Sequence, residues 1–168
     1  FPQGGVEMIS MADVPSGTGL GSSSSFTVGL LNAAHAYLGR LKTPEQLAKD
    51  ACDIEIQKLK EPIGKQDQFI AAFGGLKFIR FQPQGTVLVE PVVCTDETKA
   101  KLEASCMMFY TGKTRSASQV LKEQSETMNS NRDGVREMVH LAREMRSILE
   151  SNPRNLDGFG QLLNAAWE

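Results

Sequence analysis

The chain has 168 residues, enough for one or two small domains, and its formal net charge is −2. That charge excludes the broad basic surface with which nucleic-acid-binding proteins neutralise phosphates. We expect no membrane span and no signal peptide, because no apolar stretch has the required length or flanks. The three cysteines lack Cys-x-x-Cys spacing and the two histidines are isolated. The composition therefore predicts reduced thiols in a cytoplasmic protein that binds neither nucleic acid nor membrane.

The first predicted elements are a strand and two helices. Val6 to Ala12 is predicted as a strand, followed by a loop rich in glycine and serine. A helix is predicted from about Ser24 to Leu38 and a second from Glu45 to Leu59, with Thr43 as N-cap and Pro44 in the first turn. Their apolar faces are predicted from spacing to be Phe26, Leu30, Leu31, Ala34 and Leu38 in the first helix, and Leu47, Ala48, Ala51, Ile54 and Leu59 in the second.

The second half begins with a short helix through Phe73 and a predicted hairpin, Leu76 to Phe81 with Thr86 to Val93. Ser105 to Tyr110 is an apolar run that predicts a buried strand. The remainder from about residue 95 is predicted to be mainly helical, with one apolar stripe that forms core or a helix seam and ends at Asn152. The stripe comprises Val135, Met138, Val139, Ala142, Met145, Ile148 and Leu149.

The loop from Asp13 to Ser25 is the most informative segment. Its closely spaced glycines permit positive φ and close approach to an anion, and the N–H groups of the following helix supply donors. The Walker and dinucleotide patterns both fail because Ser22 stands where a lysine or a third glycine is needed. A flexible linker is the alternative, but the ordered Pro15 and Leu20 disfavour it. We predict a phosphate loop whose contacts are Pro15, Gly17, Thr18, Gly19, Leu20, Gly21, Ser22, Ser23 and Ser24.

Two carboxylates follow the loop: Glu55 on the second predicted helix, and Asp67 in a turn marked by proline and glycine. A hard cation that bridges phosphates needs oxygen ligands, for which Ser23 and Glu55 are suited. Phosphoryl transfer also needs a group that orients or deprotonates the attacking hydroxyl, and Asp67 is suited to that. Taken singly, the glutamate could be a solvated helix charge and the aspartate a turn cap.

The pattern Pro-x-Gly-x-Gly-Leu-Gly-Ser-Ser, ending at Ser23, resembles the second motif of the GHMP kinases, named for galactokinase, homoserine kinase, mevalonate kinase and phosphomevalonate kinase. The resemblance implies an α+β GHMP kinase fold, seen in part, in which the loop wraps the phosphates of ATP. It further implies that Ser23 and Glu55 hold Mg²⁺ and that Asp67 faces the substrate hydroxyl as catalytic base. The turn departs from the mevalonate kinase pattern by one extra residue and by Lys65 and Gln66 before the aspartate.

Two segments are similar to the heptose-phosphate kinase branch: Pro-Ile-Gly-Lys-Gln-Asp-Gln at 62–68 and Phe-Tyr-Thr-Gly-x-x-Arg-Ser-Ala-Ser at 109–118. This similarity implies transfer of the ATP γ-phosphate to the anomeric hydroxyl of D-glycero-D-manno-heptose 7-phosphate, giving the 1,7-bisphosphate. Lys65 and Arg115 would then bind the phosphate already on the sugar, although either could be a solvated charge. Two alternatives stay open, a kinase for a neutral sugar such as L-fucose and a nucleotide-binding module without catalysis.

The resemblance covers roughly residues 6–121, and only the middle one of three family motifs is present. We therefore expect an internal fragment of a protein about twice as long. Residues 1–100 would be part of the N-terminal, ATP-binding domain and residues 101–168 part of the C-terminal domain. Such a fragment would expose apolar surface, so we expect it to be unstable or inactive alone, or to form a homo-oligomer.

Overall fold

A computed structural model of the chain describes residues 4–13, 17–110 and 132–167. These residues form two compact units that separate between Gly74 and Gly75. None of the described helices is long and apolar enough to cross a membrane. The first unit contains α1 (Ser22–Tyr37), α2 (Pro44–Cys52), a π-helical turn (Asp53–Lys58) and α3 (Gln66–Phe73). The second contains β1 (Lys77–Phe81), β2 (Val87–Pro91), α4 (Asp96–Ser105), α5 (Arg132–Glu150) and α6 (Asp157–Trp167).

The start of α2 is determined locally. Thr43 Oγ1 accepts a hydrogen bond from Gln46 N at 3.2 Å, and Thr43 N donates to Gln46 Oε1 at 3.0 Å. This reciprocal pair satisfies two N–H groups that the helix itself cannot. Pro44 lies in the first turn, where its missing N–H costs nothing. The prediction that Thr43 is the N-cap and that Pro44 lies in the first turn is confirmed.

The core of the first unit lies where α2 packs on α3 and α1 packs on both helices. Its buried centre is Val28, Leu47 and Ala51. The predicted apolar face of the second helix is correct through Ala51, but Leu59 is 64% exposed. The helix does not continue as an α-helix to that residue, so the predicted spacing no longer directs Leu59 inward.

The buried face of α1 agrees with the predicted one only in part: Leu31 packs against the core, and Leu30, Ala34 and Leu38 are half-buried. Phe26 is 51% exposed, whereas Ser24 and Val28 are buried. Residues four apart share a helix face, and Ser24 donates a hydrogen bond to Glu55 at 2.8 Å. This polar contact orients the helix with its Ser24–Val28 side inward, which apolar spacing alone could not indicate.

Two predicted strands are wrong. Residues 6–12 and 106–110 have irregular backbone in this structure, and the apolar side chains in them are exposed. A strand is stable only when its N–H and C=O groups pair with a neighbour. Among the described residues, only β1 and β2 pair with one another. The residue types in both segments favour a strand, but they do not show whether a neighbouring strand is present to pair with it.

The hairpin prediction is confirmed. β1 and β2 are antiparallel with Lys77 opposite Pro91 and Phe81 opposite Val87. Gln82 N donates to Thr86 O at 2.9 Å and closes the turn. Gly85 has φ 83°, a conformation that favours glycine over residues with a Cβ.

The helical second half is also confirmed over its described residues. α5 ends at Glu150, as expected from the following Asn152 and proline, and packs against α6. Leu149 of the predicted stripe is buried, but Met138 nearer the start of α5 is 58% exposed. Asn152 Oδ1 accepts a hydrogen bond from Thr95 N at 2.7 Å, so the end of α5 is joined to the start of α4.

One arginine connects α5 to the hairpin. The Arg146 guanidinium lies 4.9 Å from the centre of the Phe78 ring, and its Nη1 donates to Glu90 Oε2 at 2.7 Å. Arg146 Nε also donates to Glu150 at 2.9 Å. The hydrogen bond from Arg146 lowers the pKa of Glu90; desolvation opposes this effect and Arg80 adds to it.

We expect Arg146→Met to lower the thermal unfolding midpoint more at pH 7 than at pH 3. The pKa of Glu90 is lower in the folded than in the unfolded protein. The contact with Arg146 therefore stabilises the fold fully above the unfolded-state pKa, and this stabilisation is lost as the pH falls through the folded-state pKa. Calorimetric scans across that range measure the difference. Arg136→Met on the same helix is the control, because Arg136 forms a surface pair with Asp133. If Arg146→Met lowers the unfolding midpoint by the same amount at both pH values, the expectation is wrong.

Candidate active site

The glycine-rich loop has the backbone conformation that its sequence predicts. Gly17, Gly19 and Gly21 have φ of 74°, 78° and 65°, a region that residues with a Cβ rarely adopt. Gly21 is the N-cap of α1, no side chain caps this helix, and its first turn contains no acidic residue. The carboxylates near the start of α1 therefore come from other elements and not from its own first turn. Pro15 lies outside the described residues.

Glu55 lies in the π-helical turn that follows α2. Leu59 N donates to Ile54 O at 2.9 Å, an i to i+5 bond that widens the helix. The predicted continuous helix is therefore interrupted at Asp53, and the wider turn changes the direction of the side chains that follow. Glu55 is 1% exposed. Such turns are frequent at functional sites.

The buried carboxylate of Glu55 accepts hydrogen bonds on both oxygens. Oε1 accepts from Ser23 Oγ at 2.6 Å and from Thr27 Oγ1 at 3.4 Å. Oε2 accepts from Ser24 Oγ at 2.8 Å and from Gln68 Nε2 at 2.5 Å. Burial of an ionised group is costly unless it is hydrogen-bonded. Ser23, Ser24 and Gln68 therefore satisfy the carboxylate in the absence of bulk water, because the one hydroxyl proton of Thr27 also has Ser23 O as an acceptor at the shorter distance of 3.1 Å.

Asp67 lies in the first turn of α3 and is exposed. A Cβ added to Gly21 would be 3.2 Å from both Cγ and Oδ2 of Asp67. That distance is tighter than most real Cβ contacts, so Asp67 can lie this close only because residue 21 has no Cβ. The positive φ of the same residue also favours glycine. The structure thus places Asp67 beside Gly21, which is the end of the glycine-rich loop and lies two residues before Ser23 in the chain.

Lys65 immediately precedes α3 and is exposed, and Arg115 lies outside the described residues. The charge of Lys65 acts on the nearby Cys52 thiol. Burial raises the pKa of Cys52, Lys65 opposes that effect, and Glu55 adds to it. Cys52, Cys94 and Cys106 are all free in this structure.

Two members of the site were not predicted from the sequence. Thr27 lies four residues after Ser23 and so shares its helix face. Gln68 follows Asp67 directly and is 0% exposed. A polar residue in the first turn of a short helix ordinarily points to solvent, so only the Gln-Asp-Gln pattern itself could have drawn attention to Gln68.

The oxygen atoms at this site fit a hard divalent cation. Ser23 Oγ and Glu55 Oε1 are 2.6 Å apart, and neighbouring ligands of an octahedral Mg²⁺ lie about 2.9 Å apart at its usual bond lengths. A serine that donates its proton keeps its lone pairs for a metal. The described ranges contain no cluster of three or more His, Cys, Asp or Glu side chains that could hold a metal. Mg²⁺ in proteins usually takes one or two protein oxygens and completes its shell with phosphate oxygens and water.

Comparison with known proteins gives the same family as the motifs. Residues 1–75 match the family described as GHMP kinases N terminal domain. The D-glycero-alpha-D-manno-heptose 7-phosphate kinase of Campylobacter jejuni subsp. jejuni serotype O:2 is 37% identical over 65% of this chain and 32% of its own length. The L-fucokinase/L-fucose-1-P guanylyltransferase of Bacteroides fragilis is 27% identical over 98% of this chain and 18% of its own length.

A solved structure gives the fold. The chain is similar to a D-glycero-D-manno-heptose 1-phosphate kinase from Bacteroides thetaiotaomicron, with a TM-score of 0.76 and 24% identity. The match covers 92% of this chain and 44% of that protein, so this chain spans less than half of its structural relative. The family match ends at residue 75, next to the boundary between the two compact units. Residues 1–75 match the GHMP kinase N-terminal domain family, and the chain has the α+β fold of the GHMP kinases in part.

Proposed function

We propose that this chain belongs to an ATP-dependent sugar kinase that acts on D-glycero-D-manno-heptose 7-phosphate. The ATP γ-phosphate would pass to the anomeric hydroxyl, giving the 1,7-bisphosphate. One observation carries the proposal: Asp67 lies against Gly21 at the end of the loop, while Ser23 donates to the buried Glu55 at 2.6 Å. The name of the C. jejuni relative supports the choice of sugar. We further propose that residues 1–100 belong to the N-terminal domain and residues 101–168 to the C-terminal domain.

In this mechanism the loop residues hold the triphosphate of ATP. The positive φ of Gly17 and Gly19 brings the loop backbone close to the phosphates, and the start of α1 supplies N–H donors. Ser23 and Glu55 provide the two protein oxygens of the cation site. Mg²⁺, when bound there, neutralises the charge that develops on the phosphate oxygens during transfer.

Asp67 orients the attacking hydroxyl and takes its proton. Its carboxylate is exposed at the loop end rather than buried with Glu55, so a sugar can reach it. The two carboxylates therefore have different tasks, because one is enclosed by donors and the other is open. This division agrees with the requirement of phosphoryl transfer for positioning and charge stabilisation, with one group at the nucleophile.

The substrate phosphate would be bound by Lys65 and Arg115. Lys65 directly precedes the helix that carries Asp67 and is exposed, so its ammonium is available to a phosphate on a bound sugar. A kinase for a neutral sugar such as L-fucose is the second candidate, and the similarity to the B. fragilis fucokinase over 98% of this chain favours it. The two functions differ in whether Lys65 binds a phosphate.

We expect the full-length protein to release ADP from Mg·ATP faster with heptose 7-phosphate than with free heptose or L-fucose. Lys65→Met should raise the KM for heptose 7-phosphate about tenfold or more, because a charge-assisted contact to phosphate is lost. Lys49→Met is the control, since Lys49 is paired with Glu45 on an exposed helix face. Preference for L-fucose would replace the proposed substrate. ATP binding without turnover on any of the three sugars would favour the nucleotide-binding module.

A further inference from the structure

We propose that Gln68 is a positioning residue that fixes the orientation of the Glu55 carboxylate, so that Oε2 is held by the protein and Oε1 faces the cation. This inference rests on the proposed kinase function. It concerns a residue that does not touch the substrate and whose side chain is enclosed by the protein: Gln68 is 0% and Glu55 1% exposed.

The two oxygens of Glu55 are held unequally. Oε2 accepts bonds of 2.8 Å from Ser24 and 2.5 Å from Gln68, and both donors are buried. Among the described residues, Oε1 accepts a short bond only from Ser23, whose side chain is exposed. The Thr27 hydroxyl is 3.4 Å from Oε1 and has Ser23 O as a closer acceptor at 3.1 Å. A carboxylate has about four acceptor positions. The contact with Thr27 is the longest of the four, so a cation that binds at Oε1 would displace the weakest hydrogen bond to the carboxylate.

The orientation of the Gln68 amide is determined by this contact. If the amide were reversed, its oxygen would face the oxygen of Glu55, which cannot donate when ionised. With Nε2 on Glu55, the buried Gln68 Oε1 has no hydrogen-bond partner among the described residues. A buried acceptor without a partner destabilises the fold, and an apolar residue of similar size would avoid that cost. The amide is therefore explained by the hydrogen bond that its NH₂ group donates to Glu55 and not by its own oxygen.

The position of Gln68 in the chain also links two parts of the site. It follows Asp67 in the first turn of α3, so one helical turn carries both the exposed carboxylate and the donor to the buried one. Metal-binding side chains commonly depend on such outer contacts, and removal of one typically lowers metal affinity or activity about 10- to 100-fold.

Gln68→Met in the full-length protein tests the inference. The replacement keeps the buried volume and removes the donor. We expect the Mg²⁺ concentration at half-maximal ADP release to rise about 10- to 100-fold, with kcat at saturating Mg²⁺ within about twofold of the unmodified protein. Binding of Mn²⁺ together with a non-hydrolysable ATP analogue, measured by calorimetry, should weaken by a similar factor. Gln66→Met, at an exposed position of the same helix, should change neither quantity.

The outcomes separate a positioning role from a structural one. If Gln68→Met lowers the thermal unfolding midpoint but leaves the Mg²⁺ and Mn²⁺ dependence unchanged, the inference is wrong. If that variant does not fold, Gln68→Asn decides, because it keeps a polar side chain but is one methylene shorter and withdraws the amide from Glu55 Oε2; an unchanged Mg²⁺ dependence would overturn the inference. If the unmodified protein neither forms ADP nor binds Mn²⁺ with the analogue, the proposed kinase function fails and this inference fails with it.

Discussion

Asp67→Asn should lower kcat by about 10²- to 10⁴-fold while leaving the affinity for ATP nearly unchanged. Asparagine has the same shape as aspartate and fits beside Gly21, where a Cβ on the glycine would already be 3.2 Å from Asp67. It cannot accept the proton of the attacking hydroxyl, however. The loss should therefore occur in the chemical step and not in nucleotide binding.

The measurement is ADP release at saturating Mg·ATP and sugar, with ATP affinity determined separately by calorimetry. Asp96→Asn is the matched control, because Asp96 is also an exposed aspartate in the first turn of a helix. Its replacement removes the same favourable interaction with a helix N-terminus and should leave kcat unchanged. Unchanged turnover in Asp67→Asn would remove Asp67 from the mechanism.

Glu55→Gln should impair both the cation site and the fold. The amide oxygen of glutamine can replace one carboxylate oxygen, but its NH₂ group would face hydrogen-bond donors. On one side these are Ser23 and Thr27, and on the other Ser24 and Gln68. Hydrogen bonds to a charged group and buried donors left unpaired each contribute a few kcal/mol at most, so we expect a loss of about 2–3 kcal/mol in the free energy of unfolding.

Urea denaturation measures that loss, and the Mg²⁺ concentration for half-maximal ADP release should rise in the same variant. Glu45→Gln is the control, since Glu45 forms an exposed i,i+4 pair with Lys49 and should change stability by less than about 0.5 kcal/mol. An unfolding free energy equal to that of the unmodified protein would show that the donors around Glu55 are satisfied without its charge.

Features that depend on a few neighbouring residues could be predicted. The N-cap at Thr43 needs only the next helical turn, and the hairpin needs only its turn residues. The positive φ of the loop glycines likewise follows from the residue type. The predictions of these elements were correct because the residues whose interactions stabilise each element lie close together in the chain.

The candidate site was predictable only in part. The family motifs identified Ser23, Glu55 and Asp67 as one group, and the structure places Ser23 in contact with Glu55 and Asp67 beside the loop. The roles assigned to these residues stay predictions. Nothing in the spacing indicated the π-helical turn that carries Glu55 or the complete burial of Gln68.

The sequence by itself indicated the resemblance to GHMP kinases, the conformation of the loop glycines, most helices and the hairpin, because spacing, caps and glycine conformations act over a few residues. Only the tertiary structure decided which face of α1 is buried, that residues 6–12 lack a described strand partner, and that Gln68 donates to Glu55. These outcomes depend on contacts between residues far apart in the chain. Ser23 and Glu55, for example, are 32 positions apart, and their hydrogen bond exists only because α1 packs on α2.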